Sequence, residues 1–230
     1  MSSPALVRDL TFSPLDIPLF VPFGISGGAQ PAANNVLARV ELADGTVGYG
    51  EAAPLPPYNG ETQADALRAL AAMRAAVIDR DAADWLAVAR WARDAGGAAC
   101  GSAQCAFEMA LLDALTRQRG QPLWQFFGGA GTELETDMTV TTGTASQAAE
   151  DARAIRRRGI RQIKVKVGGP KGALHDLERV GAIAAAAPDA PSFSTATPAS
   201  RASTPANSSG ACAPRRSRRP CSSNGCRRTT

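Results

Sequence analysis

No stretch of about 18 consecutive apolar residues occurs in the chain, so the sequence offers no membrane-spanning helix. Residues Met1 to Leu10 lack the basic start, apolar run and small-residue cleavage site of a secretory signal, and a cytoplasmic protein is expected. The 5 cysteines lack the paired C-x2-C spacing of a zinc site and outline no disulfide framework. Cys100 and Cys105 fall in a helical context that suits small buried thiols, and Cys212, Cys221 and Cys226 lie near the end. His175 is the only histidine, and without partners it is expected to pack against a helix or sit on the surface. Acidic residues stop at Asp189, which leaves the C-terminal segment no carboxylate for a hard cation.

What is present is ordinary for a soluble globular chain of 230 residues: 44% hydrophobic and 20% charged, with 5% aromatic. The net charge of +4 is unevenly placed. From Pro191 to Thr230 there are seven Arg, no Lys and no acid; the remainder holds 18 basic and 21 acidic residues, a net of −3. The body therefore gives no support to a nucleic-acid partner. The tail's seven Arg can contact phosphates, but no aromatic or helical frame accompanies them for specific readout. A non-enzymatic fragment with a basic nucleic-acid-binding tail is the alternative from another function class.

Leu6 to Pro18 alternates loosely as a first strand, and Val36 to Leu42 (V-L-A-R-V-E-L) alternates with period two. Asp44-Gly45 is a hairpin turn signal, returning through Thr46 to Glu51. Helical periodicity follows at Ala64–Ile78, Ala82–Ala95 and Ser102–Arg119, then a short helix with Trp124, Phe126 and Phe127 before Gly128-Gly129. These elements predict an α+β domain over residues 1–128. From residue 129 to 190 the order becomes βαβα: Leu134–Thr142, Ser146–Arg158, Gln162–Val167 and Ala173–Ala186. That is the start of a parallel sheet or an incomplete (β/α) barrel, since closure takes eight strands and about 250 residues. From 191 to 230, where Phe193 is the only large apolar residue, the composition predicts a disordered tail.

Lys164-Val165-Lys166 is the sharpest chemical feature. Strand residues two apart share a face, so both ammonium groups project together while Ile163, Val165 and Val167 pack on the other side. At the C-terminal mouth of a barrel strand, desolvation and mutual repulsion would lower one Lys pKa and make a general base. The competing reading is an edge strand carrying two solvated lysines.

Four segments in order resemble the enolase superfamily, in its mandelate racemase/muconate lactonizing branch, and within it the dipeptide epimerases. They are Val36 to Pro54 with Gly60-Glu61-Thr62; Ala106 to Gly129; L-E-T-D-M-T-V at Leu134 to Val140; and I-K-V-K-V-G at Ile163 to Gly168. The resemblance implies an N-terminal capping domain over a TIM-type barrel. It implies lysine-mediated removal of an α-proton from a dipeptide, with a magnesium ion steadying the enolate. Lys166 would be the base and Lys164 would hold the carboxylate and depress its neighbour's pKa. Thr139 matches a substrate-contacting Thr. Phe23 and Ile25, with the Gly24 to Gly28 stretch, match a mobile lid loop, and Tyr58-Asn59-Gly60 a second one. Gly28 stands where relatives that act on acidic dipeptides carry a cation, which argues against an Ala-Glu substrate. A muconate cycloisomerase or o-succinylbenzoate synthase of the same superfamily shares the lysine strand and is the nearer alternative. The intact family enzyme is compatible with a homo-oligomer.

The family's metal ligands are Asp, Glu and Asp on the next three barrel strands, the first near residue 195, and a second Lys stands opposite. None of these has a counterpart here, so this chain is expected not to bind the magnesium and to be a truncated, inactive form. The tail reads as an out-of-frame segment: one codon choice for Pro191 to Pro205, read two bases later, gives L-V-L-D-G-N-A-G-F-T-R-E-H-A, similar to the family's third barrel strand. Sequencing the gene around the codon for Pro191 is expected to show a single-base insertion or deletion relative to a close homologue; an unbroken frame would overturn this reading.

Overall fold

A computed structural model describes residues 4–25, 28–168 and 171–196, without the side chains of 21–29 and 192–196. The first layer is an antiparallel sheet of β1 (Val7–Ile25), β2 (Gly28–Leu42) and β3 (Val47–Ala52), in that order. The period-two pattern of β2 puts Val36, Ala38, Val40 and Leu42 on one fully buried face. Gly45, with φ 86°, makes the turn into β3, and Asp44 Oδ1 accepts from the Thr46 amide at 2.9 Å.

Helices α2 (Gln63–Val77) and α4 (Gly101–Gln118) cover that face, and α3 (Trp85–Ala95) packs against both; the single-turn α1 (Pro56–Asn59) precedes them and the single-turn α5 (Leu123–Phe126) follows. Thr62 and Asp65 form a reciprocal capping box at the start of α2. Helix α4 buries Ala103, Ala106, Phe107, Ala110, Leu111, Ala114 and Leu115, a stripe of helical period. Burying Phe107 contributes about 1.5–3 kcal/mol relative to leaving it in water.

Strand β3 lies against the backbone of α4. A Cβ on Gly50 would stand 2.0 Å from the Ala106 carbonyl oxygen, and one on Gly48 would stand 2.1 Å from the Ala114 nitrogen. The Tyr49 amide between them donates to Asp113 Oδ2 of α4 at 2.9 Å. The alternate glycines are thus required by the helix, not by a turn.

The second layer is a parallel sheet, ordered β4 (Asp137–Val140), β5 (Gln162–Val167), β6 (Ser192–Ala196). Helices α6 (Ala145–Arg157) and α7 (Gly172–Ala186) connect the strands. Their inner faces, Ala148, Ala152, Ile155 and Ile183, close a second core with Val140, Ile163 and Val165. Thr144 and Gln147 cap α6, and Gly159, with φ 83°, ends it.

Three expectations change. The Gly24–Gly28 stretch, expected as a loop, continues the β1–β2 ribbon, with Phe23 paired to Gln30 and Ile25 to Gly28; its tip, residues 26–27, lies outside the described residues. The segment from 191, expected to be disordered, begins with β6: the free edge of β5 offers backbone groups that any sequence can pair, and the Ile163 amide donates to Pro191 O at 3.2 Å. The rest of the tail, with Cys212, Cys221 and Cys226, lies outside the described residues. Cys105 is exposed and not buried, because it faces away from the stripe that α4 buries. No helix among the described residues is long and apolar enough to cross a membrane.

Replacing Gly50 with Ala is expected to destabilise the fold by about 1–3 kcal/mol, because the contact is with backbone that cannot move aside. A urea midpoint that does not fall would show that β3 and α4 lie further apart.

Candidate active site

Strand β5 is central in its sheet, paired to β4 on one side and β6 on the other. The edge-strand reading of its lysines is therefore excluded. Ile163 and Val165 are fully buried under α6 and α7, and Val167 packs beside them. Lys164 and Lys166 project from the opposite face and are half-buried. Thr139 pairs in register with Lys164, so all three share one face of the sheet. Register places Phe193 beside Lys164 and Thr195 beside Lys166 on the third strand.

Burial lowers the Lys166 pKa from its ordinary 10.5, and the neighbouring charge of Lys164 lowers it further. A lysine so placed gives up its proton more readily than one in water, which a general base requires. Only three lysines, Lys164, Lys166 and Lys171, occur among the 25 basic residues of the chain. That concentration within eight positions is a signal sequence reading passed over.

Tyr58, Phe23 and Ile25 belong to the first layer. Tyr58 lies on α1 and is 71% exposed. Phe23 and Ile25 stand near the ribbon tip, with backbone alone described. A cleft of about 320 Å³ opens between the ribbon and the α1–α2 segment, lined by Gln30, Asn34, Pro54, Pro56 and Thr62. Gln63 Nε2 anchors its wall by donating to Asp16 Oδ1 at 2.7 Å and to Asn35 O at 2.8 Å. Glu61 fastens the segment that carries Tyr58 to α4, accepting from the Gly101 and Ser102 amides at 2.7 and 3.1 Å. Burial pushes the Glu61 pKa up, and hydrogen bonding from the Ser102 side chain first, then the Ser102 and Gly101 amides and the Cys100 side chain, more than offsets it, holding it below the usual carboxylate value.

Two further residues were not singled out from the sequence. Arg179 of α7 is buried, 1% exposed, among apolar neighbours, and Asp176 lies one turn before it. The signal available was a charged residue on the helix's inward stripe with Val180 and Ile183. His175 Nε2 lies 2.8 Å from Gly143 O, the helix-packing role expected.

The magnesium ligands implied by the resemblance do not fit the residues present. Among the described residues no group of three His, Cys, Asp or Glu side chains converges. The third strand carries Phe193 and Thr195 at the register positions beside the lysines, and no acid follows Asp189. No chemical step is assigned to that ion.

Labelling the three lysines by reductive ¹³C-methylation gives a direct check. The Lys166 resonance, identified by its loss in Lys166→Met, is expected to titrate below 10.5, and Lys164→Met is expected to move it upward. Because the folded-state value is depressed, the charge on Lys166 opposes folding at neutral pH, and that penalty fades as pH rises through the lowered value toward 10.5. Lys166→Met is therefore expected to raise the urea midpoint at neutral pH and to lose this advantage in alkali.

Residues 9–128 match the family described as mandelate racemase / muconate lactonizing enzyme, N-terminal domain. The aromatic dipeptide epimerase of Herpetosiphon aurantiacus is 45% identical over 82% of this chain and 52% of its own length. A crystal structure of mandelate racemase/muconate lactonizing enzyme from Roseiflexus sp. is 46% identical, with TM-score 0.74 over 84% of this chain and 52% of that one. The dipeptide epimerase of Cytophaga hutchinsonii, complexed with Mg and the dipeptide D-Ala-L-Val, is 30% identical, with TM-score 0.73 over 82% and 51%. The chain spans about half the length of these relatives. It belongs to the mandelate racemase/muconate lactonizing enzyme family of the enolase superfamily.

Proposed function

We propose that residues 1–190 are the capping domain and opening barrel strands of a dipeptide epimerase. Lys166 is the base on one side of the substrate's α-carbon. Lys164 holds the carboxylate and depresses its neighbour's proton affinity, and Thr139 contacts the substrate. The observation that carries this reading is the shared face of Thr139, Lys164 and Lys166 on adjoining parallel strands, with Lys166 half-buried. Relatives named aromatic, hydrophobic and L-Ala-D/L-Glu dipeptide epimerases support the reaction class. Gly28 at the ribbon end supplies no cation, which favours an uncharged dipeptide over an acidic one. The cleft between the ribbon and the Tyr58 segment is where the cap would meet a side chain of that dipeptide.

This reading also needs carboxylates for the metal and a base for the opposite side, and after Asp189 the sequence carries neither an acid nor a lysine. Residues 1–190 grafted onto the C-terminal half of the Herpetosiphon aurantiacus epimerase are expected to exchange the α-proton of an aromatic dipeptide in D₂O, followed by ¹H NMR. Lys166→Met in the graft is expected to slow that exchange by about 10²–10⁴-fold, and the ungrafted chain to show none. Exchange that survives Lys166→Met would remove Lys166 from the role of base.

A further inference from the structure

We infer that Arg179 and Asp176 form a positioning clamp for Lys166, tying the C-terminal ends of β4 and β5 together; the importance of that position for chemistry rests on the proposed function, but the clamp itself does not. Arg179 sits on the inward stripe of α7, where Val180 and Ile183 pack on the sheet. A Leu or Met there would fill the same stripe without the cost of burying a charge. What the guanidinium does instead is reach the strand ends. Nη1 donates to Lys166 O at 2.9 Å and to Asp176 Oδ1 at 3.1 Å, and Nη2 donates to Thr141 O, the residue just past the end of β4.

The acid completes the arrangement. Asp176 Oδ2 accepts from the Gly168 amide at 2.7 Å, where a φ of 87° turns the chain off β5. Lys166 is thus held at its own carbonyl by Arg179 and at the turn two residues on by Asp176. Together with the pairing of Lys166 and Val167 to β6, these two bonds hold the peptide planes after Lys166 and so the direction in which its side chain leaves the strand. Arg179 Nε has no hydrogen-bond partner. Asp176 and Arg179 are the charged groups of α7 that bond to this end of β5, Glu178 between them is exposed, and Lys164 is the charged neighbour on the strand itself.

The test uses the full 230-residue chain carrying Arg179→Met, Arg179→Lys or Asp176→Asn, with thermal melts to establish folding. Amide exchange at Gly168 and the titration of ¹³C-methylated Lys166 are read together. The clamp predicts Gly168 exchange faster by roughly tenfold or more in Arg179→Met and Asp176→Asn, with Ile163 in the strand's centre unchanged. It also predicts that Lys166 moves toward its ordinary titration in Arg179→Met, with partial return in Arg179→Lys. A lowered melting temperature with both signals unmoved makes the pair merely stabilising and overturns the clamp, while the epimerase reading stands. If Lys166 of the unsubstituted chain already titrates at its ordinary value, the epimerase reading falls instead; Gly168 exchange then decides the clamp alone, acceleration supporting it and no change overturning it.

Discussion

Helices α6 and α7 cover one face of the β4–β6 sheet and leave the other uncovered by them. Ile163 and Val165 must face those helices, because their burial is what holds the layer together. With period two, the same constraint sends Lys164 and Lys166 to the opposite side. A one-residue slip of β5 would bury two ammonium groups in an apolar core, which is far costlier than any register change could recover. The apolar face thus sets the register, and the register delivers the lysines and Thr139 to one place.

The first layer follows a different constraint. Its β3 strand approaches α4 so closely that alternate positions must be glycine, and the Tyr49 amide between them is taken up by Asp113. That close contact fixes the sheet on its helices. Glu61 then fastens the segment carrying Tyr58 to the start of α4, where unpaired helix amides favour a carboxylate. A cleft remains between this segment and the β1–β2 ribbon. The two segments that the family resemblance assigns to substrate recognition are thus the end of the paired β1–β2 ribbon and a helical turn.

Most of the fold was legible in advance. The helical periodicity of Ala64 to Ile78 and of Ser146 to Arg158 and the Q-I-K-V-K-V strand are local patterns, and those elements lie within a few residues of where the pattern put them, whereas β2 begins at Gly28, well before the alternating Val36 to Leu42. The ribbon's extension through Phe23 to Ile25 was not legible, because glycine-rich sequence also reads as loop and only cross-strand pairing to residues 28–30 decides. The strand β6 was hidden for a related reason. Its sequence, Ser-Phe-Ser-Thr-Ala, has only Phe193 and Thr195 as strand formers among small polar residues, and the backbone edge of β5 supplies the order. Arg179 was hidden because a single charge in a helix looks like a solvated one until the sheet it faces is known.

By itself the sequence determined that Lys164 and Lys166 share one side of a strand, since periodicity and residue type are properties of the chain alone. It also determined that no acid and no lysine follow in the C-terminal segment. Only the tertiary structure decided that β5 is central and not an edge, that burial and not charge alone lowers the proton affinity of Lys166, and that a buried Arg179 reaches the carbonyls of two strands. Those facts depend on neighbours distant in sequence, and hydrogen bonding and desolvation are set by what surrounds a group in space.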